Sequence, residues 1–418
     1  MKDKQLAAEQ QTAALKKEEI QLAQTLLREF PDTEDPIVLM GNVRWRHGNA
    51  AEALKFWQEA LQMNPRRPDV YKAMGWFAMG KENYPEAIMH WRKALQADSQ
   101  IPGVHNSIAR ALMGLGRHAE AIEELRKDIE VSPNSSSSYF LLGQGYLQQQ
   151  EYEKAKANYE KATALEPDLT NAYYGLFTAC ARLNQHEKAQ EYLAVFKKLK
   201  AEDMKVLKDR NDAYNDLIDM RQGAAETYMF AAKMYQGRGD IYPPDVWRAK
   251  CEQLLKRAAA LDPNNTVYLM ELASLYGTSS RFSDALAMHK QISGLEPNNP
   301  VCHLNIGVFS ARLKQFADAE AAFAKAITLA PESSAGYRSL AQLYLETGTK
   351  LPQARDLVQK AVALEPIAAN YFVLSWACDR NADTDSALSA IKKALELDPD
   401  NPRYQQMYEL IRKRSSRQ

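Results

Sequence analysis

The chain has 418 residues, too many for one compact core and enough for two or three ordinary domains or one extended array. Its 53 Lys and Arg are matched by 53 Asp and Glu, and this net charge of zero argues against nucleic acid or an anionic membrane as the main partner, since both select a basic excess. No apolar run approaches the roughly eighteen residues of a membrane span, and the start of the chain lacks a secretory apolar block, so a cytoplasmic location is the default expectation, with the periplasm as the alternative if a leader was removed.

Residues 5 to 30 read as one long amphipathic helix able to cover the first face of whatever follows. After it the prolines keep time. Pro31 to Pro65 is 34 residues, Pro65 to Pro133 is 68 with Ser99 at the missing beat, and Pro133 to Pro167 is 34 again. Pro263, Pro297, Pro331, Pro366 and Pro399 resume the beat at steps of 34, 34, 35 and 33, in the phrases LDPN, LEPN, LAPE, LEPI and LDPD. Each is a helix stop, because proline disfavours the α region in the residue before it.

The phase sets units starting near Glu34, Pro68, Pro102, Ser136 and Thr170, then near Thr266, Pro300, Ser334 and Ala368. Between Pro167 and Pro263 lie 96 residues where two periods need 68, and Ala201 stands where a proline is due. With no stop there, apolar residues at helical spacing, among them Leu217 and Ala225, predict an elongated helix from about Asp203 to Tyr235, spanning roughly 50 Å. The expected organisation is therefore a capping helix over 1–33, an N-terminal block of about five repeats over 34–201, an elongated helical insertion over 202–224, a C-terminal block of about five repeats over 225–400, and a capping helix with a basic tail over 401–418.

Within a period the residue types also recur. One unit reads Tyr139, Leu142, Gly143, Tyr146, Ala155, Tyr159, Ala162, Pro167; others carry Gly41 with Trp57, Gly75 with Trp91, and Gly307 with Phe323. A small residue lets a partner helix approach closely while an aromatic fills the space between turns. This pattern resembles the tetratricopeptide repeat (TPR) family. The resemblance implies an all-α fold, a right-handed α-α superhelix of about ten helix pairs whose first helices line a concave groove.

Carried onto this chain, the groove positions are Asn42, Trp45, Lys72, Trp76, Asn106, Arg110, Phe140, Gln144, Tyr174 and Arg182, then Asn305, Arg338, Gln342 and Trp376. Aromatic and Arg residues are favoured interface anchors, and amides bond a peptide backbone without demanding a sequence. The implied ligand is a peptide segment or helix of a partner protein. The clamp that some TPR proteins use on chaperone tails is incomplete, with Val38, Ala73 and Gly103 at its positions. The asparagine ladder of another subclass is reduced to Asn305.

Chemistry is sparse. None of the seven histidines shows metal-ligand spacing, and His47, His118 and His186 fall in or beside turns, where a solvated or helix-end role is expected. Cys180, Cys251, Cys302 and Cys378 read as small packing residues. No phosphate-binding glycine loop occurs, so no catalytic residue, metal or cofactor is expected. The expected function is a non-catalytic scaffold or adaptor in the assembly of a bacterial multiprotein complex. The alternatives are an accessory subunit of an enzyme, or an enzyme with a site near the insertion at Asp240, Tyr242 and Asp245.

Overall fold

The computed structural model describes residues 2–209, 212–239 and 241–415, and among these every regular element is a helix. The chain divides into two compact units, Met1–Phe230 and Ala231–Gln418. The first opens with α1 (Lys2–Glu29). Five helix pairs follow: α2 (Asp35–Arg46) with α3 (Ala50–Met63), α4 (Pro68–Gly80) with α5 (Tyr84–Ala97), α6 (Val104–Gly114) with α7 (His118–Val131), α8 (Ser136–Gln148) with α9 (Tyr152–Leu165), and α10 (Thr170–Arg182) with α11 (His186–Asp209). Next comes α12 (Asp212–Gln236), within which the division falls. The second unit continues with α13 (Pro244–Leu261) and the pairs α14 (Thr266–Thr278) with α15 (Phe282–Leu295), α16 (Pro300–Arg312) with α17 (Phe316–Leu329), α18 (Ser334–Thr347) with α19 (Leu351–Leu364), and α20 (Ala368–Arg380) with α21 (Thr384–Leu397). It ends in α22 (Pro402–Ser415).

The proline stops act as local sterics require. Asn64, Glu166 and Glu365, each just before a repeat proline, are extended at φ/ψ of −135/98°, −138/89° and −141/103°. The turn inside each pair is equally uniform. Its fifteenth residue is left-handed, whether glycine, as at Gly48 and Gly116, or not, as at Glu82 (φ 57°) and Gln150 (φ 60°). Where the step lengthens to 35 residues, the turn holds two left-handed residues, Gly348 and Lys350, and absorbs the extra one.

Packing within a pair centres on one slot. Trp57, Trp91, Tyr159 and Phe323 lie buried there, and a Cβ added to Gly41, Gly75, Gly143 or Gly307 would sit 2.3–2.6 Å from the facing ring. The Trp57 indole N–H donates to Asn42 Oδ1 (2.9 Å) and that of Trp91 to the Lys72 carbonyl (3.3 Å), so each ring is closed off without an orphaned donor.

The same slot in the α14–α15 pair holds a histidine. His289 is 7% exposed, stacks on Phe309 with ring centroids 5.6 Å apart, and leaves Nδ1 without a partner. Burial lowers its pKa below the ordinary 6.5. The unfolded chain therefore binds this proton more readily, so stability is intact above the unfolded pKa and is lost as pH falls through it toward the folded value. His289→Phe is expected to flatten the acid limb of the second unit's stability where pH falls below the ordinary imidazole value of 6.5. An unaltered profile in urea denaturation would contradict this.

The ends are covered by their own helices. Leu15, Ala23 and Leu26 of α1 are buried, and Tyr404 and Ile411 of α22 are buried against Cys378, Ala387 and Ile391. Of the long helix expected from about Asp203 to Tyr235, the described parts belong to α11 and α12; residues 210 and 211 lie outside the described residues.

Within the first unit α12 lies against α1 and α2. The Thr227 hydroxyl donates to Glu19 Oε1 (2.5 Å), Arg46 bonds the same carboxylate, and His47 Nε2 reaches Oε2 at 2.7 Å. Glu19 is fully buried, and a Cβ on Gly223 would meet Arg46 Cδ at 2.4 Å. The solvated role expected for His47 is thus corrected. It caps the end of α2, but its side chain is 7% exposed because it joins a buried carboxylate.

Candidate functional site

In the first unit α8 lies between α6 and α10. Their inner faces form a groove of about 650 Å³. Phe140, Gln144 and Leu147 of α8 line its middle, Met113 and His118 one side, Asn171, Tyr174 and Thr178 the other. The floor is Tyr159, reached between Gly143 and Gly175.

The geometry of the lining follows from local packing. Phe140 tilts on Tyr159 (5.9 Å), while Tyr174 leans on Phe196 (5.2 Å) and Phe177 (5.9 Å) yet keeps 52% of its surface exposed. Such rings are held in place with one face open. Among the described residues, the side chains of Gln144 and Asn171 make no internal hydrogen bond, so their donors and acceptors face the groove.

Three sequence-predicted residues, Phe140, Gln144 and Tyr174, are thus brought together. Arg110 lies one turn before Met113 on α6, and Arg182 one turn after Thr178 on α10; both are exposed beside the groove. The others are placed differently. Asn42 holds Trp57, and Trp45 packs on Trp57 and Phe77 while 38% exposed. Lys72 is half-buried, and Trp76 is 44% exposed, edge-on to Trp91 at 5.3 Å.

Asn106 is 7% exposed. Its amide donates to Ser138 Oγ (2.8 Å) and its backbone N–H to the buried Asp128 carboxylate (3.1 Å), so it is committed to the fold rather than to a ligand. In the second unit Asn305, Gln342 and Trp376 are half-buried, and Arg338 donates to Asn370 Oδ1 (2.9 Å).

His118, expected in a solvated or helix-end role, does open α7, but sequence reasoning did not assign it to the groove that it also lines. Sequence reasoning also missed Val267, Val301 and Val308, apolar residues 41%, 61% and 37% exposed on α14 and α16. Their signal was the second and ninth positions of the unit, both inward.

A second trough of about 660 Å³ lies in the second unit, beside Tyr344, Lys350 and Leu357. Three of its polar groups already serve one another, since the Tyr344 hydroxyl and the Lys350 ammonium both donate to Glu320.

Burial pushes the Cys251 and Cys302 thiols up to about 11, so they stay protonated at neutral pH. Among the described residues, no group of three or more His, Cys, Asp or Glu side chains could hold a metal ion, and no helix is long and apolar enough to cross a membrane. Near the insertion, Asp240 lies outside the described residues, Tyr242 stands edge-on to Tyr235 (5.7 Å), and Asp245 is exposed in the first turn of α13.

Tetratricopeptide-repeat models match residues 38–100, 73–135, 136–169, 270–334 and 368–401. The chain belongs to the tetratricopeptide repeat family. Among solved TPR structures, MamA of Desulfovibrio magneticus RS-1 is 21% identical over 39% of this chain and 92% of its own, with a TM-score of 0.37. Yeast Tom70 is 16% identical over 91% of this chain and 95% of its own, at 0.38. YrrB, a TPR protein with an unusual peptide-binding site, is 22% identical over 45% of this chain and 96% of its own, at 0.39. No curated protein matches the chain in sequence.

Proposed function

We propose that this TPR protein is a non-catalytic scaffold or adaptor that holds a peptide segment of a partner protein in the groove of its first unit. The observation that carries this reading is the pairing of half-open rings, Phe140 and Tyr174, with the uncommitted amides of Gln144 and Asn171 in one cleft. Rings supply apolar contact at low entropic cost, and the amides bond a passing backbone. An adaptor role in a multiprotein assembly follows from such a surface, because holding a segment requires no chemistry of it.

Photo-crosslinking tests the assignment. A benzophenone amino acid at Gln144 is expected to capture partner peptide, whereas one at the outward Lys161 is not. Phe140→Ala and Tyr174→Ala should each weaken the partner's binding by about 2 kcal/mol with helical content unchanged. Capture at Lys161 alone, or binding indifferent to both truncations, would move the site away from this cleft.

A further inference from the structure

The chain is neutral overall, but its charge is unevenly distributed around the groove. The three helices that build it, α6, α8 and α10, have 11, 13 and 13 residues and contain no Asp or Glu. The second helices behind them carry the carboxylates: Glu120, Glu123, Glu124, Asp128 and Glu130 on α7, and Glu153 and Glu160 on α9. No lining residue of the groove is acidic.

The cations of the three helices are Arg110 and Arg182, one on each side of α8, while His105 is occupied by Glu124 at 2.7 Å. Among the described residues neither arginine has an ion-pair partner. Arg110 is steadied by its own Nε, which donates to Asn106 Oδ1 (3.2 Å) and leaves both terminal nitrogens uncommitted. His118, in the lining, has its Nδ1 unpartnered as well. Carboxylates do answer some arginines elsewhere in the molecule, as Glu120 does Arg117, and Glu252 and Asp284 do Arg281, whereas Arg312 and Arg380, which end their helices as Arg182 does, have none among the described residues. Unanswered guanidinium groups flanking a cleft that excludes carboxylates are complementary to an anionic ligand.

We propose that the groove selects an acidic segment of the partner chain, its carboxylates received by Arg110 and Arg182 and its apolar side chains seated between Phe140 and Tyr174. This rests on the groove being the binding surface, as proposed above. Each exposed arginine contributes one charge-assisted contact, so removing either is expected to weaken binding about tenfold, and removing both about a hundredfold.

Selection of a phage-displayed random 12-residue peptide library on the full chain tests this. The expected result is enrichment of peptides that combine Asp or Glu with aromatic or aliphatic residues. Their affinity should fall with added salt, drop as stated in Arg110→Gln and Arg182→Gln, and be largely kept in Arg110→Lys. Neutral or basic enriched peptides, or acidic ones indifferent to both arginine variants, overturn the proposal. If such peptides still lose binding in Tyr174→Ala, the groove stands and only its charge preference falls. If no selected peptide depends on Phe140 or Tyr174, the groove reading falls too.

Discussion

Tyr159→Ala is expected to destabilise the first unit by about 3–5 kcal/mol, a large part of what holds a typical domain together. The ring is 1% exposed and serves two interfaces at once. A Cβ on Gly143 would meet it at 2.6 Å and one on Gly175 at 2.4 Å, so the same phenol spaces α8 from its own partner and from α10. Truncation leaves a cavity at the point where three helices meet, and rigid glycine backbones on both sides cannot collapse into it. Tyr159→Phe keeps the ring and should stay within about 1 kcal/mol of the parent. Gly175→Ala, which drives a methyl into the ring, should cost about 1–3 kcal/mol. Urea unfolding followed by circular dichroism reads all three; a loss below about 1 kcal/mol for Tyr159→Ala would refute the slot as the organising contact.

The second large effect is expected at Glu19. Its carboxylate is fully buried and is satisfied by Arg46, His47 and Thr227. Glu19→Gln keeps the volume and removes the charge, leaving Arg46 without its counter-ion in a site that is 24% exposed on the arginine side. The loss should be about 3 kcal/mol, toward the low end for a broken buried pair because Arg46 keeps some water. Since Thr227 belongs to α12, amide exchange in α12 up to Phe230 should accelerate more than in α6 or α8. Gly223→Val, which forces a branched side chain against Arg46, should give the same pattern by a different route. Equal protection in the variants and the parent would show that α12 is not held by this contact.

These two sites differ in how far the sequence discloses them. The slot is legible because it repeats: a small residue and an aromatic sixteen positions later recur as Gly41 and Trp57, Gly75 and Trp91, Gly143 and Tyr159, with a proline closing the first and third. Local sterics impose each of these, so they survive without knowledge of the rest. The Glu19 cluster has no such signal. Thr227 is 208 residues away and Arg46 is 27, and none of the three stands out by spacing or composition. Only the path of α12 through space brings them together.

The groove was half legible for the same reason. The family resemblance marks which positions of a first helix face inward, and three of the residues at them, Phe140, Gln144 and Tyr174, line one cleft. It says nothing of what a polar side chain meets on arrival. Asn106 faces inward by count, but Asp128 and the serine run Ser135–Ser138 draw its backbone and amide into the fold. His118 departs in the opposite direction, since its place at the very start of a second helix concealed a ring that borders the cleft.

The four cysteines are all unpaired and shielded, Cys180 in the first unit and Cys251, Cys302 and Cys378 in the second. An alkylating reagent can reach them only when the surrounding helices part, and then finds a thiol whose acidity returns to normal in water. The protein therefore carries native chronometers of its own breathing, one in the first array and three in the second, and the pace at which each is modified reports local opening without any introduced label.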